Sequence, residues 1–362
     1  MARFMAALRG SRMHLPRDLP FQPSMSTPSQ TLSESEIRPD HLLKGHAERY
    51  GADIARLLAH KDKFVPVACP ACGADDARAA FDKLELTYVV CRDCETMYVN
   101  PRPTPELLGM YYAQSENYAY WNKHLFPASE HVRRERIFRP RAERVAEIFA
   151  RYGVQSDTLL EIGAGFGTFC EEARRLGIFR RVIAVEPTPD LAETCRQRGL
   201  EVIEKPIEQI STEGLRVDAI ACFEVLEHIF SPRHFLATCA SVLNPGGLIV
   251  ITCPSVKGFD IAVLGKASNS VDVEHLNYFH PVSLSRLAME NGFEVLEVST
   301  PGKLDAELVR KKVLAGEFAL TGQPFLQQVL IDEWDRVGAS FQQFLADQGL
   351  SSHLWLIARK AA

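Results

Sequence analysis

The feature that most restricts the fold of this chain is a regular alternation of two residue patterns from Thr158 onward. Short apolar runs rich in β-branched residues alternate with longer segments of helical periodicity. Strands that are joined through helices pair in parallel, and the helices then cover both faces of the sheet. The sequence therefore predicts an α/β fold around a parallel sheet. The clearest predicted strands are Thr158–Ile162, Val182–Val185, Val217–Cys222 and Leu248–Cys253, and the helices predicted between them include Thr168–Leu176 and Asp190–Arg198.

The length of the chain predicts more than this sheet. Its 362 residues exceed the usual size of a single domain, so we expect a main domain and a smaller one. Residues 1–40 are rich in Ser, Pro and Arg and show no sustained periodicity, which predicts a disordered segment. Both a transit peptide and an extension upstream of a start at Met25 are compatible with that composition.

Charge and cysteine content limit the expected partners and compartment. The formal net charge is -5, whereas nucleic-acid-binding domains usually carry a basic stripe. The nine cysteines, an odd number, and the lack of a secretory signal pattern predict a reducing environment, where paired cysteines are more often metal ligands than disulfides. No apolar run approaches the roughly 20 residues of a membrane-spanning helix. We therefore expect a cytoplasmic protein with no membrane span and no nucleic-acid partner.

Two C-x2-C pairs stand ahead of the predicted sheet, with 18 residues between them. They are formed by Cys69, Cys72, Cys91 and Cys94. A two-residue gap lets one turn present two thiolates, and Gly73 suits the left-handed turn that follows such a pair. Four thiolates match the tetrahedral preference of zinc and leave no open coordination position, which predicts a structural Zn²⁺. An iron of rubredoxin type and four buried, unligated cysteines are the alternatives.

A glycine-rich turn follows the first predicted strand and opens a helix. Backbone N–H groups gather at such a turn, and glycines let a ligand approach the main chain. The spacing is G-x-G-x-G, and Thr168 stands where the dinucleotide fingerprint G-x-G-x-x-G requires its last glycine. The stretch resembles motif I of class I S-adenosylmethionine-dependent methyltransferases, in which this loop wraps the methionine portion of the cofactor. The resemblance assigns to cofactor binding Glu161, Gly163, Ala164, Gly165, Phe166 and Gly167.

An acidic residue ends the second predicted strand. Glu186 lies 23 positions after Gly163, and a carboxylate there can accept hydrogen bonds from both ribose hydroxyls of a nucleoside. Dehydrogenases share this feature, so Glu186 does not distinguish a site for S-adenosylmethionine from a site for a nicotinamide dinucleotide. The choice comes from Val217–Ile229 and Leu243–Pro254, which are similar to the fourth and fifth strand regions of the same methyltransferases. By this resemblance the further cofactor contacts are Pro187, Phe223 and, near the adenine, Pro206 and Ile207.

The resemblance covers Thr158 to about Thr300 and implies a Rossmann-like, seven-stranded sheet whose last strand is antiparallel. Gly292–Thr300 is the sixth predicted strand and Ser352–Lys360 the seventh, with helical patterning in residues 303–349 between them. A parallel sixth strand ends at the carboxyl edge of the sheet, so an insertion there emerges on the side of the cofactor. We expect this helical insertion to form a lid or an acceptor-binding wall. A dimerisation element is the alternative.

Catalytic roles are predicted for His275, His228 and Glu224. His275 follows the fifth strand, where loops form the binding crevice, and imidazole is the usual proton acceptor near neutral pH. Anchoring of its loop is the alternative, as it is for His280. Glu224, Glu227 and His228 stand at i, i+3 and i+4, which would place them on one helical face. A similar stretch in ubiquinone-pathway O-methyltransferases holds a divalent metal near the acceptor, so a metal is one interpretation here and bracing of the helix the other.

Residues 105–152 are predicted to form a helical connector. Aromatic residues cluster at Tyr111–Trp121, either to pack against the main domain or to close as a flap over the cofactor, with Tyr118 or Tyr120 contributing. The arginines that follow form either a solvated helix face or a grip on a phosphate-bearing substrate. They are Arg133, Arg134, Arg136, Arg139, Arg141 and Arg144.

The predicted organisation has four parts: a disordered segment 1–40, a helix with the zinc module 41–104, the connector 105–152 and a methyltransferase domain 153–362.

The cysteine pairs, Asn100-Pro-Arg-Pro-Thr and Tyr111-Tyr ahead of such a domain resemble bacterial enzymes that modify sugars or surface glycans. We therefore predict methyl transfer from S-adenosylmethionine to a small-molecule or glycosyl acceptor, with a sugar or nucleotide-sugar hydroxyl as first choice. C-methylation of a deoxysugar and quinone-type O-methylation are the alternatives. The acidic charge disfavours nucleic-acid methylation, and intact cofactor motifs disfavour a non-catalytic binding protein. The oligomeric state stays open, with a homodimer as one alternative.

Overall fold

The computed structural model describes residues 34–154, 157–210 and 214–361. The strands are β1 (Ala77–Lys83), β2 (Leu86–Cys91), β3 (Met97–Val99), β4 (Thr158–Ile162), β5 (Arg181–Val185), β6 (Glu201–Ile203), β7 (Val217–Phe223), β8 (Leu243–Pro254), β9 (Asn277–Tyr278), β10 (Phe293–Ser299) and β11 (His353–Lys360). The helices are α1 (Glu34–Ile37), α2 (Asp40–Leu58), α3 (Pro105–Ala113), α4 (Glu116–Tyr120), α5 (Phe126–Arg133), α6 (Arg139–Arg151), α7 (Thr168–Arg175), α8 (Pro189–Gln197), α9 (Pro232–Val242), α10 (Phe259–Leu264), α11 (Pro281–Met289), α12 (Asp305–Leu314), α13 (Pro324–Gln327) and α14 (Trp334–Asp347). Within these ranges, no helix is both long enough and apolar enough to cross a bilayer.

The N-terminal prediction of disorder extends too far. Residues 1–33 lie outside the described residues, but residues 34–40 begin with α1, whose Ile37 is buried. The side chain of Arg133 donates a hydrogen bond to the carbonyl oxygen of Ile37 at 2.7 Å. Disorder up to residue 40 is therefore wrong for this stretch, because a buried apolar side chain and a backbone hydrogen bond fix it to the rest of the protein.

Seven strands form the central sheet, in the order β10-β11-β8-β7-β4-β5-β6. The pairs β4–β5, β5–β6, β4–β7 and β7–β8 are parallel, whereas β11 is antiparallel to both β8 and β10. All residues of β4 and β7 are buried, which explains why these runs are mostly apolar, with Glu161 and Asp218 as buried acidic exceptions. The prediction of a Rossmann-like sheet with an antiparallel seventh strand is confirmed.

Helices cover both faces of this sheet. On one face, α6 and α7 enclose an apolar cluster that includes Val145, Phe149 and Phe169. On the other face, α9 and α11 contribute Phe235, Leu236 and Leu287 to a second cluster. Proline stands in the first turn of α3, α8, α9 and α11, where its missing N–H breaks no intrahelical hydrogen bond.

A second, smaller sheet has the order β1-β2-β3-β9 and is antiparallel throughout. One cysteine pair lies just before β1 and the other at the turn between β2 and β3, whereas the fourth strand comes from the segment between α10 and α11. Met97 pairs with Tyr278, and Tyr98 pairs with Asn277. The N-terminal module and the loop after β8 are therefore parts of one sheet.

The segment between β10 and β11 is helical, as predicted. Helices α12 and α14 pack with α10 around a cluster that contains Leu264, Val309 and Leu330. The Asp305 carboxylate, at the start of α12, accepts hydrogen bonds from the Ser351 hydroxyl at 2.6 Å and from the Gln342 amide at 2.9 Å. These contacts fix the insertion beside the carboxyl ends of the parallel strands.

Candidate active site and cysteine centre

The loop between β4 and α7 has a backbone that only glycine adopts easily. Gly163, Gly165 and Gly167 all have positive φ, at 73°, 55° and 72°. A Cβ atom added to Gly163 would lie 2.3 Å from Cγ2 of Val225, so the loop also passes too close to the end of β7 for a side chain. The loop therefore exposes main-chain groups at the carboxyl edge of the sheet, next to the end of β7.

Glu186 closes this loop from the end of β5. Its Oε2 accepts a hydrogen bond from the Gly165 N–H and its Oε1 from the Thr188 N–H, both at 2.8 Å. The side chain is buried, which raises the pKa of the carboxyl, while the two N–H donors oppose that shift. Each carboxylate oxygen can accept a second hydrogen bond. Glu186 thus both shapes the loop and keeps acceptors for a ligand.

The other predicted cofactor contacts lie around the same edge. Phe166 stacks on Phe126 of α5, with ring centroids 3.6 Å apart and planes 9° apart. Phe223 is buried at the end of β7. Pro187 is exposed beside Glu186, Ala164 is buried, and after β6 Pro206 is half-buried and Ile207 buried. Contact of these residues with a cofactor stays a prediction.

Glu161 is a buried acid on β4. Its Oε2 accepts a hydrogen bond from the Cys170 thiol at 2.9 Å, and the side chain is 3% exposed. Burial raises the pKa of Glu161 to about 8, although Cys170 and Arg141 lower it. The carboxyl is therefore mostly protonated in the folded protein near neutral pH.

This protonation predicts how Glu161→Gln changes stability with pH. A raised pKa of an acid means that its contribution to stability is lost as pH rises, here between about 4.5 and about 8. Glutamine does not titrate and still accepts the Cys170 hydrogen bond. Between pH 5 and pH 8 the free energy of unfolding of the variant should rise relative to wild type by on the order of 2 kcal/mol. Urea denaturation at both pH values measures this, and parallel pH dependences of the two proteins would contradict it.

His275 lies in the loop between β8 and β9. Its Nδ1 is 2.8 Å from the carbonyl oxygen of Ser270, which can only accept, so the ring proton is on Nδ1. The carboxylate of Asp272 lies 3.8 Å from the same nitrogen and also accepts the His275 backbone N–H at 2.9 Å. Nε2 therefore carries a lone pair, and a carboxylate stands ready to stabilise the ring when it gains a proton.

Glu224, Glu227 and His228 do not share a helical face, so that prediction is wrong. Glu224 has φ 54° immediately after β7, and the 3-10 turn that follows contains only Leu226–His228. This left-handed residue reverses the chain before the turn begins. As a result, Glu224 accepts a hydrogen bond from the Thr252 hydroxyl at 2.6 Å and lies 3.3 Å from Nδ1 of His353, apart from His228.

The structure instead brings Glu227 and His228 together with His275. One ligand atom from each lies within 4.8 Å of the others, and the two imidazole rings are 4.7 Å apart. Glu227 is fully buried, and among the described residues neither of its carboxylate oxygens has a hydrogen-bond partner. Burial and the charge of Glu224 raise the pKa of Glu227, and burial with His275 lowers the pKa of His228 to about 3. Two arrangements fit: a protonated Glu227 beside the two imidazoles, or a divalent cation held by the three side chains.

The aromatic segment joins the two halves of the site. Tyr112 has its hydroxyl 3.0 Å from Nδ1 of His228, and with Tyr118 it lines a small cavity whose opposite wall is Thr188–Leu191, directly after Glu186. Tyr120 instead lies against α2, where the guanidinium of Arg49 is 4.3 Å from its ring centroid. The flap interpretation therefore fits Tyr118, and the packing interpretation fits Tyr120.

Most of the connector arginines already have partners in the protein. Arg134 forms ion pairs with Glu171 at 2.6 Å and Glu172 at 2.9 Å, and Arg139 pairs with Glu172 at 3.1 Å. These contacts favour a helix face packed on α7 over a phosphate grip. Arg141 differs, because its guanidinium lies 4.4 Å from the Phe223 ring centroid and forms no ion pair within the described part of the chain.

Sequence reasoning missed His353 and Asp272. His353 opens β11 at the carboxyl edge, and its Nε2 accepts a hydrogen bond from the Trp355 indole at 2.8 Å, which leaves the proton on Nδ1 towards Glu224. A histidine at the start of the seventh strand was the available signal. For Asp272 the signal was its position three residues before His275, a spacing typical of a side chain that caps a turn.

The four predicted ligands of the cysteine centre converge. Sγ atoms are 3.5 Å apart in the pairs Cys69–Cys94 and Cys72–Cys91, and all four lie within 4.8 Å of one another. Ligands about 2.3 Å from a tetrahedral zinc are about 3.8 Å apart, so the set fits this ion. The Cys69 thiol lowers the pKa of Cys94 to about 5 through a hydrogen bond.

The turns of the cysteine centre also match the prediction. Gly73 has φ 77°, and Glu95, at the equivalent position after the second pair, has φ 58°. His280 lies beneath the second turn, with Nε2 2.8 Å from the Cys94 carbonyl oxygen. His280 therefore anchors its loop to the cysteine centre.

Residues 129–298 match the protein family described as "Methyltransferase domain". This stretch contains the glycine loop, Glu186 and the His275 loop, and it runs through six of the seven strands of the central sheet. The central sheet of the chain therefore has the Rossmann-like α/β fold of a methyltransferase.

Relatives named "Ubiquinone biosynthesis O-methyltransferase" match part of the chain. The protein of Xanthomonas oryzae pv. oryzae (strain PXO99A) is 30% identical over 131 residues, which are 34% of this chain and 54% of the relative. The protein of Caulobacter sp. (strain K31) is 35% identical over 116 residues, 30% of this chain and 45% of the relative. The chain thus spans about half the length of these relatives.

Solved structures resemble the chain more distantly. CalS10 from Micromonospora echinaspora, an amino pentose methyltransferase bound to S-adenosylmethionine, is 22% identical over 34% of this chain and 53% of its own, with a TM-score of 0.31. Phosphoethanolamine N-methyltransferase 2 of Haemonchus contortus, in complex with S-adenosylmethionine, is 16% identical over 61% of this chain and 53% of its own, with a TM-score of 0.43.

Proposed function

We propose that this chain transfers the methyl group of S-adenosylmethionine to an oxygen atom of a small-molecule or glycosyl acceptor. The observation that carries the proposal is the 2.8 Å contact between Nδ1 of His275 and the Ser270 carbonyl oxygen, which assigns the ring proton to Nδ1 and leaves the lone pair of the neutral ring on Nε2. A proton acceptor is what an alcohol needs in order to be methylated, whereas a tertiary amine would need none.

Three groups support the cofactor half of the site. The main chain at Gly163–Gly167 would follow the methionine portion, and Glu186 would accept hydrogen bonds from the ribose hydroxyls through its remaining lone pairs. The guanidinium of Arg141 lies near Glu161 and the end of β7, where it would pair with the carboxylate of the amino acid. When bound, the cofactor supplies a methyl group already activated on a sulfonium sulfur.

His275 would act as the base in the transfer. Nε2 would accept the proton of the acceptor hydroxyl, so that this oxygen can take up the methyl group that the cofactor supplies from its sulfonium sulfur. The Asp272 carboxylate and the Ser270 carbonyl then stabilise the imidazolium on the side of Nδ1. The chain itself supplies orientation and a proton acceptor, which is enough for an in-line displacement.

A sugar or nucleotide-sugar hydroxyl is our first choice of acceptor. The carboxyl edge of the sheet presents polar groups from several elements, including the Tyr112 hydroxyl beside His228 and the pair of His353 with Glu224. Such groups suit the hydroxyls of a sugar ring better than an apolar ring system. The relatives named O-methyltransferases support oxygen over carbon.

A metal-assisted transfer to a quinone-type phenol is the second candidate. The carboxylate of buried Glu227 favours it, because it lies beside His228 and His275 and its oxygens have no hydrogen-bond partner among the residues that the structure describes. The variant Glu227→Gln separates the two, because it mimics a protonated carboxyl but is a poor metal ligand. Retained turnover supports the metal-free reaction, and loss of turnover together with loss of divalent-metal binding, measured by calorimetry, supports the second candidate.

The four cysteines would hold a structural zinc ion. Support comes from the convergence of their sulfurs and from the two left-handed turns after the pairs. A closed shell of four thiolates orients the strands around it and adds no open coordination site.

Cofactor binding tests the proposal without knowledge of the acceptor. Glu186→Gln removes the charge that strengthens the ribose hydrogen bonds and turns an amide N–H towards a backbone donor. We expect the Kd of S-adenosylmethionine, measured by calorimetry, to rise about 30-fold. The control Glu204→Gln alters an exposed carboxylate that pairs with Arg196 and should leave the Kd unchanged.

Turnover completes the test. Wild-type protein is incubated with methyl-labelled S-adenosylmethionine and a panel of nucleotide sugars, glycans, quinone precursors and RNA, and mass spectrometry identifies the product. A methylated sugar hydroxyl supports the first choice. Binding of the cofactor with no labelled product from any class of acceptor would contradict an enzymatic role, and no binding would contradict the cofactor.

A further inference from the structure

A buried arginine and a buried asparagine connect the cysteine-bearing sheet to the candidate active site. Arg102 follows β3 in the Asn100-Pro-Arg-Pro stretch, and Asn277 opens β9, two residues after His275. Both side chains are 0% exposed, and Nη1 of Arg102 donates a hydrogen bond to Oδ1 of Asn277 at 3.0 Å. The proposed reaction uses neither residue.

The guanidinium of Arg102 joins three segments. Its Nε donates to the Val99 carbonyl of β3 at 3.1 Å, and Nη2 donates to the Leu276 carbonyl of the His275 loop at 3.2 Å. Nη1 reaches the Phe230 carbonyl, two residues after His228, at 3.1 Å. Because its donors have a rigid planar geometry, the guanidinium fixes the positions of β3, the His228 turn and the His275 loop relative to one another.

Asn277 extends this network along the turn that carries Glu227 and His228. Its Nδ2 lies 2.8 Å from the Ile229 carbonyl oxygen, 3.2 Å from that of Leu226 and 3.3 Å from that of Glu227. In addition, the backbone N–H of Leu276 donates to the Glu227 carbonyl at 2.7 Å. One asparagine thus holds a whole 3-10 turn against the loop of His275.

The burial of Arg102 opposes folding, because it removes a charged group from water. Burial lowers the pKa of Arg102 to about 10, so the group stays charged at neutral pH. Its hydrogen bonds go to carbonyl and amide oxygens, and among the described residues no carboxylate forms an ion pair with it. A buried charge without a counter-charge costs free energy that an apolar side chain would not. What the charge does provide is a fixed geometry for three separate segments.

We propose that Arg102 and Asn277 are positioning residues, which hold the His228 turn and the His275 loop in one relative orientation and take their own position from the cysteine-bearing sheet. The inference rests on the proposed function. It gives the N-terminal module a role in catalysis without any contact with substrate. The orientation of His275 depends on Arg102 and Asn277, whereas the conformation of the cofactor loop at β4 and β5 does not depend on them.

Asn277→Asp is the decisive variant. Aspartate keeps the volume and forms an ion pair with Arg102, which preserves the fold, but it cannot donate to the three turn carbonyls. We expect kcat to fall about tenfold, with the Kd of S-adenosylmethionine unchanged within twofold. The matched control Asn291→Asp removes one donor to the Leu287 carbonyl at the end of α11 and should leave kcat unchanged. Arg102→Lys, which keeps the charge and loses the fork, should lower kcat to a similar extent.

A second readout does not depend on turnover. Long-range ¹H–¹⁵N spectra of the histidine rings report the tautomer of His275, which we expect to be Nδ1–H in wild type and mixed in Asn277→Asp. If Asn277→Asp shows a mixed tautomer but the wild-type protein turns over no acceptor, the positioning role is supported and only the proposed function is contradicted. An unchanged tautomer and unchanged kcat would overturn the positioning role, and so would a Kd that rises in proportion to the loss of kcat.

Discussion

His275→Asn is expected to lower kcat about 100-fold while the Kd of S-adenosylmethionine and the KM of the acceptor change little. Asparagine can place its side-chain N–H where Nδ1 of His275 now donates to the Ser270 carbonyl, so the anchor of the loop is kept. It has no counterpart of Nε2, so the proton acceptor is lost. Steady-state kinetics with the acceptor identified from the panel, together with calorimetry on the cofactor, measures both effects.

This variant distinguishes the two interpretations of His275. If the residue only anchors its loop, His275→Asn should keep most of the wild-type turnover, and His275→Ala, which loses both nitrogens, should not. If Nε2 is the base, both variants lose turnover to a similar extent. His131→Asn, on the exposed side of α5, is the matched control and should be fully active. Turnover of His275→Asn within a few-fold of wild type would contradict a base at this position.

The parts of the fold that follow from short, repeated patterns were predicted correctly. Buried parallel strands need continuous apolar runs, and the helices between them need one apolar face, so β4, β5, β7 and β8 are visible in the sequence. The cysteine centre is visible for a similar reason, because both ligands of each pair lie within one turn. The glycine loop can be predicted because the structure requires glycine there: Gly163 has a positive φ, and Val225 leaves no room for a side chain.

The acceptor half of the site depends on features that no local pattern encodes. The spacing of Glu224, Glu227 and His228 suggested one helical face. Because the backbone of Glu224 is left-handed, its side chain lies apart from the other two. The neighbours of these two residues then come from distant parts of the chain: His275 from the loop after β8 and Tyr112 from the connector. Pairing of β9 with β3 is equally non-local, since two residues of strand carry too little periodicity to predict a partner.

Loss of a ligand from the cysteine centre should have the largest effect on stability. Cys91→Ser leaves three thiolates, and structural zinc contributes about 10–16 kcal/mol of binding free energy in zinc-finger peptides. We expect the variant to lose its metal and more than about 4 kcal/mol of the free energy of unfolding. Elemental analysis of the purified protein and urea denaturation under reducing conditions measure the two quantities, and the elemental analysis also distinguishes zinc from iron.

The control for this prediction is a cysteine of the core. Cys239→Ser, at a fully buried position of α9, makes the same chemical change without touching the centre, so it should keep one metal ion per chain and lose only about 1–2 kcal/mol. Equal destabilisation of both variants, or a wild-type protein without stoichiometric metal, would favour four buried thiols over a metal site. A metal site also predicts a loss of kcat in Cys91→Ser that exceeds the loss of cofactor affinity, because β3 holds Arg102 and, through it, the loop of His275.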